Sequence, residues 1–421
     1  MKIVMFGWEF PPAISGGLGT ACRGLAEGLL ANGAEIVFVA PGAEGPASPP
    51  NLRIIDGLVL PVDESSEALR ETPGILERPA GVLLAPYMTA GDYRERLSEC
   101  GDDRYGSDMY DEVVRYARCA RAIARAECFD VIAVHDWMTI PAGMAAREET
   151  GRPLVVHIHS LESDRSPLRI NEYIYGVERF GMLEADEIIA VSDYTKQKII
   201  DQYGIPGERI TVVHNAALQL PPAPRRDVQE PTGEKTVLFL GRITFQKGPE
   251  RFLEAALLVA EEDPSVRFLI AGTGDMIGVM KERAAAAGIA DRCLFTGFLE
   301  GADVTEAFAQ SDLYVMPSDS EPFGITALEA ISQGVPVILS ANAGVAEVLQ
   351  SCPCVDPEDT ECMARAILDI LGDDDRRRRI VRDGLEDMKE LTWSRQAASV
   401  LECYRRAADR AGETSLLRNG G

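Results

Sequence analysis

The strongest constraint on the fold is a repeated alternation: short Val- and Ile-rich runs, apolar at consecutive positions, each followed by an amphipathic helical stretch. A strand with one wet face alternates apolar and polar residues. A strand apolar throughout is covered on both faces, as inside a parallel sheet with helices above and below. In the first half these runs are Lys2–Phe6, Glu35–Ala40, Val131–His135, Leu154–His159, Glu187–Val191 and Ile210–His214. Helical periodicity separates them, as at Thr20–Ala31 and Tyr110–Ala126. Strand then helix, repeated, predicts an α/β fold with a doubly wound parallel sheet.

The alternation breaks where Leu220-Pro-Pro-Ala-Pro leads to Gly233, a stretch with four prolines and no periodicity that reads as a linker. It then restarts with Thr236–Leu240, Val266–Ala271, Cys293–Thr296, Leu313–Met316 and Val335–Ser340. The pattern predicts a Rossmann-like domain over 1–219, a linker over 220–234, and a second Rossmann-like domain over 235–393. A last helix over 394–412, following Trp393 and carrying Tyr404, is expected to cross back to the first domain. Residues 61–109 are Pro-, Gly- and acid-rich and fit the alternation badly. They predict an excursion near the strand C-termini, where open α/β sheets bind ligands.

Composition narrows the partners. The 421 residues hold 67 acidic and 42 basic side chains, a formal charge of −25, with the surplus in both halves. Such a surface repels phosphate backbones and anionic membranes, so nucleic acid is excluded as the expected partner. Nine scattered cysteines without a signal peptide predict reduced thiols in a cytoplasmic protein. No apolar run approaches the roughly 20 residues of a transmembrane helix. No metal is expected. Cys352-Pro-Cys354 lacks a second pair or a nearby His. Asp373–Asp375 is followed at once by Arg376–Arg379, a self-neutralising helix face.

Four loops could carry chemistry. Gly16-Gly17-Leu18-Gly19 follows the first strand and opens a helix, so its backbone N–H groups can approach an anion, although the spacing is not that of a dinucleotide fingerprint. Gly241-Arg242-Ile-Thr-Phe-Gln-Lys247-Gly248 ends the first strand of the second domain with two cations and no acid. In so acidic a chain that surplus predicts a phosphate or diphosphate site. Ala271-Gly272-Thr273-Gly274 permits close backbone approach. The most specific stretch runs from Pro317 through Glu321-Pro-Phe323-Gly324-Ile325-Thr326 to Glu329. With a helix starting near Phe323, one carboxylate stands at its mouth and one lies along it, flanking free N–H groups.

These residues resemble the retaining GT-B glycosyltransferases of family 4: the Glu-x7-Glu spacing of Glu321 and Glu329 with its Glu-Pro-Phe-Gly opening, the upstream Gly-Arg…Gln-Lys-Gly, and the Gly-Gly loop after the first strand. Phe6-Gly-Trp-Glu-Phe-Pro-Pro and His135-Asp136-Trp137 are most similar to the glycogen and starch synthase branch. The resemblance implies a GT-B fold, two Rossmann-like domains facing a central cleft, with the nucleotide-sugar donor on the second domain and the acceptor largely on the first. It implies that Arg242 and Lys247 hold the diphosphate. Glu321 with Phe323, Gly324 and Ile325 would hold the donor sugar, Glu329 the ribose, and Thr326 would lie near the phosphates. Gly16 and Gly17 would line the donor side, and Asp136 corresponds to the cleft aspartate of the synthases.

The family's active-site histidine ends a first-domain strand, and in Val156-His157-Ile158-His159-Ser160 the residue nearer the strand end, His159, is the expected one; His135 and His214 are expected to orient loops. The implied reaction moves glucose from ADP- or UDP-glucose to the non-reducing end of an α-1,4-glucan, with retention and without a cofactor. Where ADP-glucose synthases carry Lys-x-Gly-Gly, this chain reads Ala13-Ile14-Ser15-Gly16-Gly17. A transferase making a small glycoside, glycolipid or surface polysaccharide, or a sugar-nucleotide 2-epimerase, therefore stays open. Both Glu321 and Lys247 are expected at the cleft surface, so that replacing either would cost little stability.

Overall fold

The structure, a computed structural model, describes residues 1–10, 16–42, 49, 51–58, 109–218 and 234–419, with side chains to 411. The expected linker and the expected excursion lie outside the described residues except for Glu234 and Met109. The chain divides into two compact units, Met1–Ala216 with Trp393–Gly421, and Ala217–Thr392.

The first unit holds a parallel sheet of seven strands: β1 Lys2–Phe6, β2 Glu35–Ala40, β3 Leu52–Asp56, β4 Val131–His135, β5 Leu154–Ile158, β6 Glu187–Ala190 and β7 Ile210–Val212. Their order is β3-β2-β1-β4-β5-β6-β7. The central strands β4 and β5 are buried at every position, which is why their sequence is uniformly apolar up to the histidines that end it. The second unit holds six parallel strands: β8 Thr236–Leu240, β9 Arg267–Ala271, β10 Cys293–Gly297, β11 Leu313–Val315, β12 Val337–Ser340 and β13 Cys354–Val355, in the order β10-β9-β8-β11-β12-β13. Both units are therefore Rossmann-like α/β domains.

The sequence pattern does not reveal β3 and β13, and both are edge strands. β3 is only half-buried and carries Arg53 and Asp56, and β13 is two residues long, so neither shows a continuous apolar run. In each sheet the strand order reverses once, between β1 and β4 and between β8 and β11. Ligands in such sheets bind beyond the strand C-termini at that reversal, and the loops singled out above leave those ends.

The last helix runs from Trp393 to Asn419, beyond the expected 394–412 at both ends. Ala397, Val400, Leu401, Tyr404 and Ala407 recur at helical spacing and are buried in the first unit's core. The helix Gly17–Ala31 receives it through two glycines one turn apart. A Cβ on Gly28 would stand 2.4 Å from the Trp393 carbonyl oxygen, and one on Gly24 would enter the Trp393 ring. Asn32 Nδ2 donates to the Ser394 carbonyl at 2.8 Å. Among the described residues no helix is long and apolar enough to cross a membrane.

Candidate active site

In the first unit the site is built where β4 and β5 end side by side, with His135 in register with His157. The chain turns sharply at Asp136, whose φ of 61° is the only positive value at a non-glycine among the described residues. A residue held there costs on the order of 1–3 kcal/mol and persists only when its surroundings fix it. Asp136 Oδ1 accepts from the backbone N–H of His159 at 2.6 Å and of Ser160 at 3.3 Å. Its own N–H donates to the His157 carbonyl at 3.0 Å. Thr139 Oγ1 closes the turn, accepting from the His135 N–H at 2.7 Å and donating toward the Asp136 carbonyl at 3.1 Å. The buried carboxylate thus pins the loop that carries His159 to the end of β4.

Three of the chain's four histidines meet here. His159 lies just past the end of β5, and its Nε2 is 2.9 Å from His135 Nδ1. His135 stacks on His157 with ring centroids 4.5 Å apart, and His157 Nε2 meets the Tyr404 hydroxyl at 2.8 Å. His135, expected to orient a loop, is a member of this cluster, and its Nδ1 meets His159 on the loop after β5. Burial, and then the neighbouring imidazoles, hold His135 and His157 well below the ordinary histidine range. Burial lowers His159 as well, against the opposing pull of Asp136. The shift favours the neutral form of each ring, which can donate and accept one hydrogen bond.

Gly16 and Gly17 stand on the same side of the sheet, after β1. Gly16 is extended and exposed, the helix begins at Gly17, and no side-chain cap or first-turn acid occupies its N-terminus. A Cβ on either glycine would meet nothing within 4 Å among the described residues.

In the second unit the loop after β8 and the loop after β11 converge. Lys247 Nζ lies 2.6 Å from Glu321 Oε2, and Ser318 Oγ donates to the same oxygen at 3.3 Å. Glu321, expected at a cleft surface, is only 7% exposed, Lys247 is half-buried, and each satisfies the other across 74 residues of sequence. The local cation surplus of Gly241–Gly248 is thereby partly neutralised. Arg242 reaches Gln246 Oε1 at 3.3 Å. The two glycine turns lock together. Gly272 has a φ of 137°, and a Cβ there would stand 1.9 Å from the Gly241 carbonyl oxygen.

The segment after Glu321 is held by backbone bonds: Glu321 N–H donates to Asn342 at 2.9 Å, and Val345 N–H donates to the Phe323 carbonyl at 2.7 Å. The helix starts at Ile325, two residues later than the sequence suggests, because Gly324 with a φ of 110° turns the chain before it. No side chain caps this helix, so its first N–H groups have no side-chain acceptor from the N-cap residue. Thr326 Oγ1 lies 2.9 Å from the Tyr314 hydroxyl. Glu329, one turn on, has no hydrogen-bond partner or counter-ion among the described residues, and desolvation pushes its carboxyl up to about 7. A half-buried acceptor with no donor is what a ligand hydroxyl would satisfy.

The sequence does not single out Thr139, Gln246, Tyr314 and Ser318. These ordinary residues matter only through the partners that the fold supplies. Asp373–Asp375 stands apart from both clusters: Asp373 caps the following helix at 2.8 Å from the Arg376 N–H, and Asp375 pairs with Arg378 at 2.6 Å.

Known proteins show the same two halves. Residues 16–216 match the glycosyl transferase 4-like domain, and residues 222–387 match the glycosyl transferases group 1 domain. An uncharacterised glycosyltransferase of Methanocaldococcus jannaschii is 28% identical over 98% of this chain and 100% of its own. The glycogen synthase of Mycobacterium tuberculosis is 25% identical over 96% of this chain and 94% of its own. The D-inositol 3-phosphate glycosyltransferase of Thermobispora bispora is 28% identical over 82% and 85%. Among solved structures, sucrose-phosphate synthase of Thermosynechococcus elongatus superposes with a TM-score of 0.72 at 20% identity, covering 96% of this chain and 98% of that one. The catalytic domain of starch synthase IV of Arabidopsis thaliana, bound to ADP and acarbose, gives 0.66 at 14% identity, covering 97% and 99%. With a 4-like first domain, a group 1 second domain and glycosyltransferase relatives along its length, the chain is a glycosyltransferase of the GT-B type.

Proposed function

We propose that the chain transfers glucose, with retention, from a nucleoside diphosphate glucose to the non-reducing end of an α-1,4-glucan. The observation that carries the donor half is the uncapped helix N-terminus at Ile325 flanked by the Lys247–Glu321 pair and the unpartnered Glu329. Glu329 accepts from the ribose hydroxyls and Glu321 from the sugar. Phe323, Gly324 and Ile325 offer backbone donors, and Thr326 lies near the phosphates. As the glycosidic bond breaks, negative charge grows on the departing diphosphate. Arg242, Lys247 and the Ile325 N–H groups oppose it. Fixed donors of this kind contribute about 2–4 kcal/mol each to barrier lowering. The departing phosphate takes the acceptor's proton, so no nucleophilic carboxylate, metal or cofactor enters the reaction, and Asp136 and His159 orient and polarise the reacting sugar.

The glucan acceptor rests on the likeness to the M. tuberculosis glycogen synthase over nearly the whole of both chains. A small acceptor is the second reading. It is favoured by the T. bispora relative and by the absence of Lys from Ala13-Ile14-Ser15-Gly16-Gly17. Thermal-shift screening against ADP-, UDP- and GDP-sugars, then turnover of the best binder with glycogen and with inositol phosphate, separates the two. Lengthened glucan supports the proposal. A small glycoside alone supports the second reading, and an epimerised donor without acceptor refutes both.

A further inference from the structure

The first-unit cluster contains a group that the transfer reaction does not use. Cys22, on the helix after β1, is fully buried, and its Sγ lies with one nitrogen each of His135 and His159 in a set whose members are all within 4.8 Å of one another. The topology makes this meeting: β1 neighbours β4, and β4 neighbours β5, so the helix after β1 faces the ends of both.

We propose that Cys22, His135 and His159 form a three-ligand site for a divalent ion of the zinc class, with the fourth position open. The donor set is the first argument. One thiol and two imidazoles suit zinc, whereas magnesium and calcium require oxygen ligands. Geometry is the second. Zinc bonds of about 2.0–2.1 Å to nitrogen and 2.3 Å to sulfur, set tetrahedrally, separate the ligand atoms by roughly 3.3–3.6 Å. The present His135–His159 separation of 2.9 Å and the outer limit of 4.8 Å bracket that range, so side-chain adjustments of less than about 1.5 Å suffice.

The uncommitted nitrogens are the third argument. His135 Nε2 and His159 Nδ1 are both buried without a hydrogen-bond partner among the described residues. Among the described residues no bond on the far side of either ring holds it in place, so the ring–ring hydrogen bond that an ion would replace is the one between the two histidines. On binding, the Cys22 thiol proton passes to solvent and a metal–sulfur bond takes its place. Occupancy would also withdraw His159 from a sugar. That consequence depends on the role given to His159 above, whereas ion binding does not.

The test is titration of the full chain, under a non-thiol reductant, with cobalt(II) followed by displacement with zinc. A thiolate-to-cobalt charge-transfer band at one ion per chain, reversed by zinc, is expected. Cys22→Ser should abolish the band and weaken zinc binding by more than the roughly 10–100-fold that an outer-shell change costs. Absence of the band, or its persistence in Cys22→Ser, would overturn the site, since the ion would then be held by another of the nine cysteines. If Cys22→Ser does not keep the wild-type melting temperature in chelator, His159→Gln carries the same expectation at the half-buried edge of the cluster.

Discussion

Replacing Glu329 by Gln should stabilise the ligand-free protein, and by an amount that depends on pH. Desolvation lifts the Glu329 carboxyl from an ordinary value of 4.5 to about 7, with no charged neighbour to offset it. The folded state therefore holds the proton more tightly than the unfolded one, so wild-type stability falls as pH rises from about 4.5 to about 7 and is flat above. At about 1.4 kcal/mol per pH unit, the ionised carboxylate costs the fold up to about 3 kcal/mol at pH 8 and about 1 kcal/mol at pH 5. Glutamine keeps the shape of the protonated acid and carries neither cost. For a unit of this size 1 kcal/mol corresponds to about 2–4 °C, so the second unit's calorimetric transition should rise by roughly 6–12 °C at pH 8 and about 2–4 °C at pH 5. An equal gain at both pH values, or a loss at pH 8, would refute the claim that burial without a partner strains this carboxyl. The same variant should bind nucleotide sugar more weakly, because an ionised acceptor for ligand hydroxyls is gone. A substitution that stabilises the protein and weakens its ligand is the pattern expected of a residue kept for binding.

Lys247→Met should lower transfer by about 10²–10³-fold. It should also cost about 1–3 kcal/mol in urea unfolding, because it leaves Glu321 buried without its cation. Pairing it with Glu321→Gln should recover part of that loss, and strict additivity would count against the pair as drawn. Tyr404→Phe removes the only hydroxyl that reaches His157 Nε2 among the described residues. The first unit's transition should weaken by about 1–3 kcal/mol, whereas an unchanged midpoint would mean the hydrogen bond contributes nothing net. Gly272→Ala drives a methyl into the Gly241 carbonyl at a φ of 137°. It should destabilise the second unit by about 3 kcal/mol or more, and near-wild-type denaturant stability would show that the two turns can part.

Much of the fold was legible because its signals are local. A strand apolar at every position is covered on both faces wherever it lies in the sheet, so β1, β4, β5 and β8 could be read from composition and period alone. The edge strands β3 and β13 could not, since β3 is only half-buried with Arg53 and Asp56 in it and β13 is two residues long, so neither carries a continuous apolar run. Glycine-rich turns were legible for the same reason: Gly272 and Gly324 adopt backbone angles that side chains oppose, and that requirement is written at a single position. The lengths of helices were less so. Gly324 delays the start at Ile325, and burial against the helix Gly17–Ala31 orders the C-terminal helix from Trp393.

The sequence by itself determined the α/β alternation, the two sheets, and which loops would carry charged and glycine residues to the strand ends, because periodicity and chain order are sufficient for these. Only the tertiary structure decided what those residues meet. Lys247 finds Glu321, His157 finds Tyr404, and Cys22 finds His135 and His159 through strand order and register, which depend on the summed burial of the whole unit. The desolvation of Glu329 is likewise a property of everything packed around it, and no spacing between letters could have shown it.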